Sequence, residues 1–357
     1  MLFRTLLTLA LLIAGLPTAF SLAAQAKPLS PAELALYQGK DREQILVDGA
    51  RKEGQVTFYT SNTWMAGHVS QEFGKKYPFI KANVYRSDSK DLIKRLTEEA
   101  GAGRQIADVV ETGPEYMALM MQSTGMFQEV ILPELTRYED DAKVKGKKGI
   151  LYWISRELYI SLGYNTKIIV PADVPKSMKD LLDPKWKGKM TIAGTTTGTQ
   201  WIGAIIETFG MEFLERLAAQ EINVQNISGA ALSQLVASGE VPLSPTIFNS
   251  NIAVAKQKGA PVEWKPIDPV IGTTGMSGLV AKAPHFHAGL LFLDFLHSKE
   301  GQQAVIKGGL SSARNDVNDA EMKFKKIYIE SKYPPDVMEK KFSEWDGLKR
   351  KLFISKR

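Results

Sequence analysis

The chain contains no cysteine among its 357 residues. A disulfide framework, a thiolate metal site and a nucleophilic thiol are therefore excluded. After the N-terminal region no apolar run reaches the ~18 residues that a membrane-spanning helix needs. The net charge is +6, and basic and acidic residues are interspersed except in the tail at Lys349-Arg350-Lys351 and Lys356-Arg357, which is typical of a solvated helix face and not of a basic stripe with interleaved aromatic residues. We therefore expect neither a membrane span nor a nucleic-acid partner.

The N-terminus has the pattern of a signal peptide. Met1 to Arg4 is a short positive segment, Leu6 to Leu16 is an apolar stretch, and Ala24-Gln25-Ala26 is an A-x-A cleavage site. The pattern predicts export, cleavage after Ala26 and a protein that is free in the periplasm.

Catalytic motifs are missing from the sequence. There is no G-x-S-x-G, H-E-x-x-H, P-loop or G-x-G-x-x-G, which are the patterns of common nucleophilic, metal and nucleotide sites. His285 and His287 are two residues apart and diverge around a helix axis, and His68 is the histidine to watch as a metal ligand. We predict that the chain is not an enzyme and carries no cofactor, while a secreted enzyme without a recognisable motif stays open.

Three successive strand, polar turn and helix units follow the signal peptide. The predicted strands are Gln55–Tyr59, Ala82–Arg86 and Ile106–Val110, and each ends in a polar turn. This repeat predicts an α/β fold with a parallel sheet and helices on its faces. Ligands of such sheets bind beyond the carboxyl ends of the strands.

A second α/β region is predicted later in the chain. Two strand-like stretches, Gly149–Ile154 and Leu158–Tyr164, lead into it. A strand at Met190–Ala193 then precedes a helix over Trp201–Phe209. Two further strands are predicted, at 241–247 and at 276–281. The first contains two prolines, which suit an edge position in a sheet.

Four stretches carry a family resemblance. They are "EGQVTFYTS", "SMKDLLDPKWKGKMTIA", "LVASGEV" and "HFHAGLLFLDFLHSKEGQQ". They resemble the type II periplasmic solute-binding proteins of ABC importers, in the branch of the ferric-iron-binding proteins. The resemblance covers nearly all of the mature chain and implies a two-lobed type II periplasmic-binding-protein fold with a ligand cleft at the hinge. It implies lobe 1 at 27–157 and 266–315, lobe 2 at 158–265, and C-terminal helices at 316–357 that pack on lobe 2.

The resemblance also implies a function. The protein would be a monomer that captures a small solute between its lobes and delivers it to an inner-membrane ABC permease. Ferric-binding relatives use two adjacent tyrosines in lobe 2, but the matching segment reads Phe248-Asn249, and no tyrosine occurs between Tyr164 and Tyr328. Phenolate oxygen is the hard ligand of such ferric sites. We therefore expect an anionic solute, an organic phosphate, phosphonate or carboxylate, and no metal. Ferric iron on a non-standard ligand set, with Tyr152, Tyr159 or His68, stays the alternative.

The stretch "AGTTTGTQWIG" supplies the candidate ligand residues of lobe 2. It follows a strand and precedes a helix, so its backbone N–H groups would be unpaired at a positive helix end. Anions bind at such an end, and the resemblance implies ligand contact at this loop. The candidates are Thr195, Thr196, Thr197 and Thr199, with Trp201 to stack on an organic ligand and Asn249 from the segment that replaces the tyrosines. The simpler interpretations are a helix cap for one threonine and core packing for Trp201.

The candidates in lobe 1 and on the connecting strands are polar groups at strand ends and two arginines. Thr60, Ser61, Asn62, Ser87 and Thr112 follow the three predicted strands. Ser87 and Ser89 stand beside a possible N-cap arrangement of Asp88 and Asp91, and Glu111 could meet an ammonium group. Arg156 and Arg314 could each bind an anion in a bidentate manner or form an ordinary ion pair.

Overall fold

The computed structural model describes residues 29–122, 125–317 and 324–354. The predicted signal peptide, with its cleavage site after Ala26, lies outside the described residues. The α-helices within these ranges are α1 (Pro31–Leu36), α2 (Arg42–Glu53), α3 (Ser70–Lys76), α4 (Ser89–Gly101), α5 (Pro114–Gln122), α6 (Thr196–Phe209), α7 (Met211–Ala218), α8 (Gly229–Ser238), α9 (Asn249–Gln257), α10 (Phe286–His297), α11 (Lys299–Lys307) and α12 (Pro335–Lys349). The strands are β1 (Gln55–Thr60), β2 (Lys81–Arg86), β3 (Val109–Thr112), β4 (Lys143–Lys145), β5 (Ile150–Asn165), β6 (Thr191–Ala193), β7 (Asn223–Gln225), β8 (Leu243–Phe248), β9 (Val262–Lys265), β10 (Val270–Leu279) and β11 (Lys326–Ile327).

Short helical turns complete the described secondary structure. Two π-type turns lie at Met65–Val69 and Arg350–Ile354. The 3₁₀ turns are Leu135–Arg137, Asp140–Ala142, Pro171–Asp173, Met178–Leu182, Pro184–Trp186 and Ile329–Ser331. Within the three described ranges, no helix combines the length and the apolar character that crossing a bilayer requires.

The first three strands form the predicted parallel sheet. β1 lies between β2 and β3 and pairs in parallel with both, which confirms the interpretation of the strand, turn and helix repeat. The third strand is displaced from its predicted position and runs over Val109–Thr112. Glu111 and Thr112 therefore belong to the strand and not to the turn after it, because they pair with Ser277 and Met276 of β10.

Two long strands connect the lobes. The predicted strands at 149–154 and 158–164 are one continuous strand, β5, of 16 residues. β10 pairs with β5 in antiparallel fashion along most of its length and begins at Val270, earlier than predicted. The polar residues Ser155, Arg156 and Glu157 do not interrupt β5, because each has a polar partner: Ser155 donates to a carbonyl of β10, and the two charged residues form ion pairs.

Each lobe has its own apolar core. Lobe 1 is formed by β1 to β4, the first half of β5 and the second half of β10. Helices α2 and α10 pack on one face of this sheet. Lobe 2 contains β6 to β9 and the end of β5, with β8 and β9 on opposite edges of β5. β8 also bridges to Met190 next to β6, so the predicted edge position is wrong. Pro245 is tolerated because it lies at a register shift between β5 and β8, where no ladder bond is lost.

The C-terminal segment packs against lobe 2. Trp345 of α12 is fully buried with Trp201 and Phe353 in the lobe 2 core. Gly203 of α6 permits this contact, since a Cβ there would lie 2.5 Å from the Trp345 ring. The exact lobe boundaries stay a prediction.

Candidate ligand-binding cleft

A cavity of about 560 Å³ lies against the crossing strands β5 and β10, between lobe 1 and the C-terminal segment that packs on lobe 2. Its volume is in the range of small-molecule sites. Lobe 1, both crossing strands and the segment from β11 to α12 contribute to its wall. We call it the hinge cavity, and its polar lining includes Tyr152, Glu157, Thr274, Arg314, Lys326 and Tyr328.

The floor of the hinge cavity is a cluster of four polar residues. The buried Glu157 carboxylate accepts hydrogen bonds from the hydroxyls of Tyr159 and Tyr328. Lys326 Nζ lies 3.2 Å from Glu157 Oε2 and donates to Tyr159 Oη at 2.7 Å. Burial and the adjacent Glu157 carboxylate raise the pKa of the Tyr159 phenol, so this hydroxyl stays protonated. Gly272 makes room for Tyr328, since a Cβ there would lie 2.5 Å from its ring.

Arg314 lines the hinge cavity, but acidic neighbours hold its guanidinium. Its Nε donates to Asp316 at 2.7 Å, Nη2 donates to Glu134 at 3.0 Å, and Nη1 donates to the His297 carbonyl at 3.0 Å. The hydrogen bond from Arg314 also holds the pKa of Asp316 below its usual range. The structure therefore favours the ion-pair interpretation of Arg314 over the anion-binding one.

Arg156 forms a second buried ion pair. Its Nε lies 2.8 Å from Glu111 Oε1, and the Thr60 hydroxyl donates to the other carboxylate oxygen. The pair lies across Gly275, where a Cβ would be 2.0 Å from Glu111 Oε1. The Glu111 carboxylate thereby links β1, β3 and β5, although β10 lies between β3 and β5 in the sheet. The charge of Arg156 is neutralised by Glu111, and Glu111 faces a guanidinium and not a ligand ammonium.

The other predicted residues of lobe 1 lie at the carboxyl ends of β1 to β3. Asn62 Oδ1 accepts from the backbone N–H groups of Trp64 and Met65 and caps the following turn. Ser61 is half-buried, and Ser87 donates to Asp91 at 3.3 Å. Thr112 is fully buried, and its hydroxyl has no hydrogen-bond partner among the described residues. These groups share one edge of lobe 1, as β1 and β3 are parallel.

The threonine stretch of lobe 2 is helical further upstream than predicted. α6 begins at Thr196, and Thr195 is its N-cap residue without a side-chain cap bond, so the prediction of a helix start at Trp201 is wrong. Gly198 allows the tight turn, because a Cβ there would lie 1.8 Å from the Ala193 carbonyl oxygen. Thr196 is exposed and Thr197 is buried.

The C-terminal helix contacts part of this stretch. Lys349 Nζ donates to the Thr199 hydroxyl at 2.7 Å, and that hydroxyl donates to Asp346 at 3.1 Å. Gln200 donates to Glu330. Trp201 is fully buried in the lobe 2 core, where it packs and cannot stack on a ligand in this conformation. Thr199 and Trp201 thus have structural partners, whereas Thr195, Thr196 and Thr197 remain at the helix start.

Asn249 is the first residue of α9 and joins lobe 2 to the hinge. Its Oδ1 accepts from the Tyr159 backbone N–H at 3.0 Å, and its Nδ2 lies 3.5 Å from Ser311 Oγ. β6 and β8 run in parallel, since Met190 and Leu243 form a parallel bridge. The starts of α6 and α9 therefore share one edge of lobe 2, as expected for strand ends in such a sheet.

Arg314 is the predicted ligand-binding residue that lies in the wall of the hinge cavity. Sequence reasoning missed Glu157, Lys326 and Tyr328, which belong to the cavity floor. The sequence contained a signal for Glu157, because Arg156 and Glu157 are adjacent charged residues between two apolar stretches. Lys326 and Tyr328 had none, since they lie in the polar C-terminal segment. Among the residues described, no group of three or more histidine, aspartate or glutamate side chains could hold a metal ion.

Comparisons with known proteins agree with this architecture. Residues 104–327 match the family described as bacterial extracellular solute-binding protein. An uncharacterized protein of Haemophilus influenzae is 27% identical over 281 residues, which cover 73% of this chain and 78% of that protein. A putative 2-aminoethylphosphonate-binding periplasmic protein of Salmonella typhimurium is 26% identical over 182 residues, 47% of this chain and 53% of the relative.

Solved structures show the same fold. Iron-bound HitA from Pseudomonas aeruginosa has a TM-score of 0.62 at 21% identity, with 84% of this chain and 99% of that chain covered. The periplasmic binding protein AfuA from Actinobacillus pleuropneumoniae, with fructose-6-phosphate bound, has the same TM-score, identity and coverage. Both similarities concern the fold alone, because the identities are low.

Proposed function

Because the chain belongs to the bacterial extracellular solute-binding proteins, we propose that it is the periplasmic substrate-binding component of an ABC importer. It captures a small anionic solute between its lobes and delivers it to an inner-membrane permease as a monomer. The observation that carries the proposal is the hinge cavity, whose wall combines lobe 1, both crossing strands and the segment packed on lobe 2. A site of this kind responds to its ligand by a change in lobe orientation.

The polar residues at the start of α6 and at the edge of lobe 1, together with the names of relatives, support an anionic solute. The start of α6 presents Thr195, Thr196 and Thr197 at the positive end of a helix, where anionic groups are stabilised. The edge of lobe 1 presents Ser61 and Asn62. Relatives are named for 2-aminoethylphosphonate binding and for a fructose-6-phosphate complex, and an organic phosphonate or phosphate is the solute that we propose here.

Ferric iron is less well supported by the contacts of this chain. Tyr159 donates its proton to Glu157 and its oxygen accepts from Lys326. The raised pKa of Tyr159 opposes formation of a phenolate ligand. His68 stacks on Trp64, with 5.4 Å between the ring centroids.

Native mass spectrometry of protein released gently from periplasm tests the proposal. We expect an added mass that matches an organic phosphonate, phosphate or carboxylate. An added mass of iron would instead support the metal alternative. Steady turnover of a periplasmic solute by the purified protein would contradict a pure binding function.

A further inference from the structure

The start of α6 presents three backbone N–H groups without partners. Thr195 is the N-cap residue, and the N–H groups of Thr195, Thr196 and Thr197 have no hydrogen-bond acceptor among the described residues. Thr197 is only 9% exposed, and its hydroxyl has no partner in the described ranges and is not sealed from solvent. Three unpaired N–H donors and the hydroxyl of a buried residue therefore meet at a position that a solute can fill.

Lys349 of α12 fixes the direction of two of these N–H groups from the opposite side. Its Nζ donates to the Gly194 carbonyl oxygen at 2.6 Å and to the Thr195 carbonyl oxygen at 3.3 Å. In a trans peptide unit the N–H group points away from the C=O group. Because both carbonyls face Lys349, the N–H groups of Thr195 and Thr196 point away from α12, toward the side on which Thr196 is exposed.

Burial and further contacts hold the Lys349 ammonium group in place. Its side chain is 2% exposed, it lies 2.8 Å from Asp346 Oδ1, and it also donates to the Thr199 hydroxyl at 2.7 Å. The three N–H donors of the ammonium group are thus all engaged. Asp346 offsets the charge of Lys349, so Lys349 acts on the start of α6 chiefly through the geometry of its hydrogen bonds.

We infer that Lys349 is a positioning residue of the proposed solute site: it orients the peptide units at the start of α6 so that their N–H groups bind the anionic group of the solute. This inference rests on the proposed function and gives the C-terminal segment a part in binding beyond its packing on lobe 2. A loop that is already oriented loses little conformational freedom when the solute binds. Affinity for the anion therefore depends on a residue that the solute does not touch.

Calorimetric titration of the full chain with ethylphosphonate tests the positioning role. Lys349→Met should weaken binding by about tenfold or more, which corresponds to the loss of one hydrogen bond to a charged group. Leu214→Ala is the control for a loss of stability alone, because Leu214 is fully buried in the lobe 2 core on α7 and its truncation leaves a cavity there. Its Kd should equal that of the unmodified chain. An unchanged Kd in Lys349→Met, or an equal loss of affinity in both variants, would overturn the inference.

A double variant separates orientation from charge. Lys349→Met also removes a cation beside Asp346, so Asp346→Asn is combined with it to restore the net charge. The double variant should keep the weakened binding, because the Gly194 and Thr195 carbonyls still lack their donor. It leaves no uncompensated carboxylate and therefore also serves where Lys349→Met alone does not fold. Recovery of the unmodified affinity would show that Lys349 acts by its charge and would overturn the positioning role.

Hydrogen exchange of the solute-free protein gives a second readout. The N–H groups of Gly198 and Thr199 bond to the Thr195 carbonyl oxygen, so they should exchange faster when Lys349→Met loosens this carbonyl. The peptide over residues 194–200 reports this change, which Leu214→Ala should not produce. Identical exchange of this peptide in Lys349→Met and the unmodified chain would contradict the orienting role.

The two proposals can fail separately. Binding of ethylphosphonate with the same Kd in the unmodified chain and in all variants would keep the proposed function and reject the positioning role. Absence of binding of both ethylphosphonate and inorganic phosphate to the unmodified chain would reject the anion site at the start of α6, and this inference with it.

Discussion

Lys349 of the C-terminal helix donates a hydrogen bond to the carbonyl oxygen of Gly194 at 2.6 Å, across 155 residues of sequence. The same ammonium group lies 3.3 Å from the Thr195 carbonyl oxygen and 2.8 Å from Asp346 Oδ1, and its side chain is 2% exposed. The start of α6, where we propose that the solute binds, is thus held in place by the last helix of the fold.

Lys349→Met should destabilise the protein by about 1–3 kcal/mol, because the Gly194 and Thr195 carbonyl oxygens lose this donor and Asp346 loses one of its partners. Urea unfolding measures this change. Lys351→Met is the control, since Lys351 is exposed on the following turn. An equal free energy of unfolding for the two variants would show that the buried ammonium contributes nothing specific.

Thr196→Asp should weaken binding of an organic phosphonate by about tenfold or more, because it adds a negative charge beside the proposed anion position. The fold should persist, since Thr196 is exposed and an acidic residue suits a helix start. Thr196→Asn is the control, because asparagine has nearly the same shape as aspartate but carries no charge. If calorimetry gives the same Kd for both variants, the solute does not bind at the start of α6.

Breaking the Arg156–Glu111 pair should cost about 3–5 kcal/mol of unfolding free energy, because one charge is left buried without a partner. Both side chains are buried, and their ion-pair distance is 2.8 Å. Glu111→Gln and Arg156→Met alone should each show this loss, and the combined variant should recover part of it. Additive losses in this double-mutant cycle would contradict a direct interaction.

Stability should fall as the pH decreases below the ordinary pKa of histidine. Complete burial, with a smaller contribution from Arg314, holds the pKa of His297 well below 6.5 in the folded protein. The unfolded chain therefore binds a proton that the folded chain does not, and the stability that His297 contributes is present above pH 6.5 and lost at lower pH.

Below pH 6.5, the free energy of unfolding should decrease by up to about 1.4 kcal/mol per pH unit because of His297. Unfolding of the unmodified chain and of His297→Gln between about pH 7 and pH 5 measures it. Parallel stability curves for the two proteins would mean that His297 does not provide the dependence.

Local sequence patterns were sufficient to predict the helices and strands whose apolar period and turn residues lie within a few positions of each other. The alternation of strand, polar turn and helix places Gln55–Thr60 in a parallel sheet, since the period of apolar residues and the turn residues are read within a few positions. The same patterns misplaced the start of α6 and divided β5. Threonine and glycine have weak helix propensity and charged residues disfavour a buried strand, but distant partners compensate for both.

The sequence by itself determined the α/β class, the family and the two polar edges on which a solute is expected. Tertiary structure alone decided which charges remain available to that solute. Arg156 and Arg314 are neutralised by Glu111 and Asp316, and Lys326 lies beside Glu157 at the hinge cavity. The reason is physical: the charge that a side chain presents depends on partners that folding brings within hydrogen-bond distance. Partners in the cluster around Glu157 lie up to 171 residues apart along the chain.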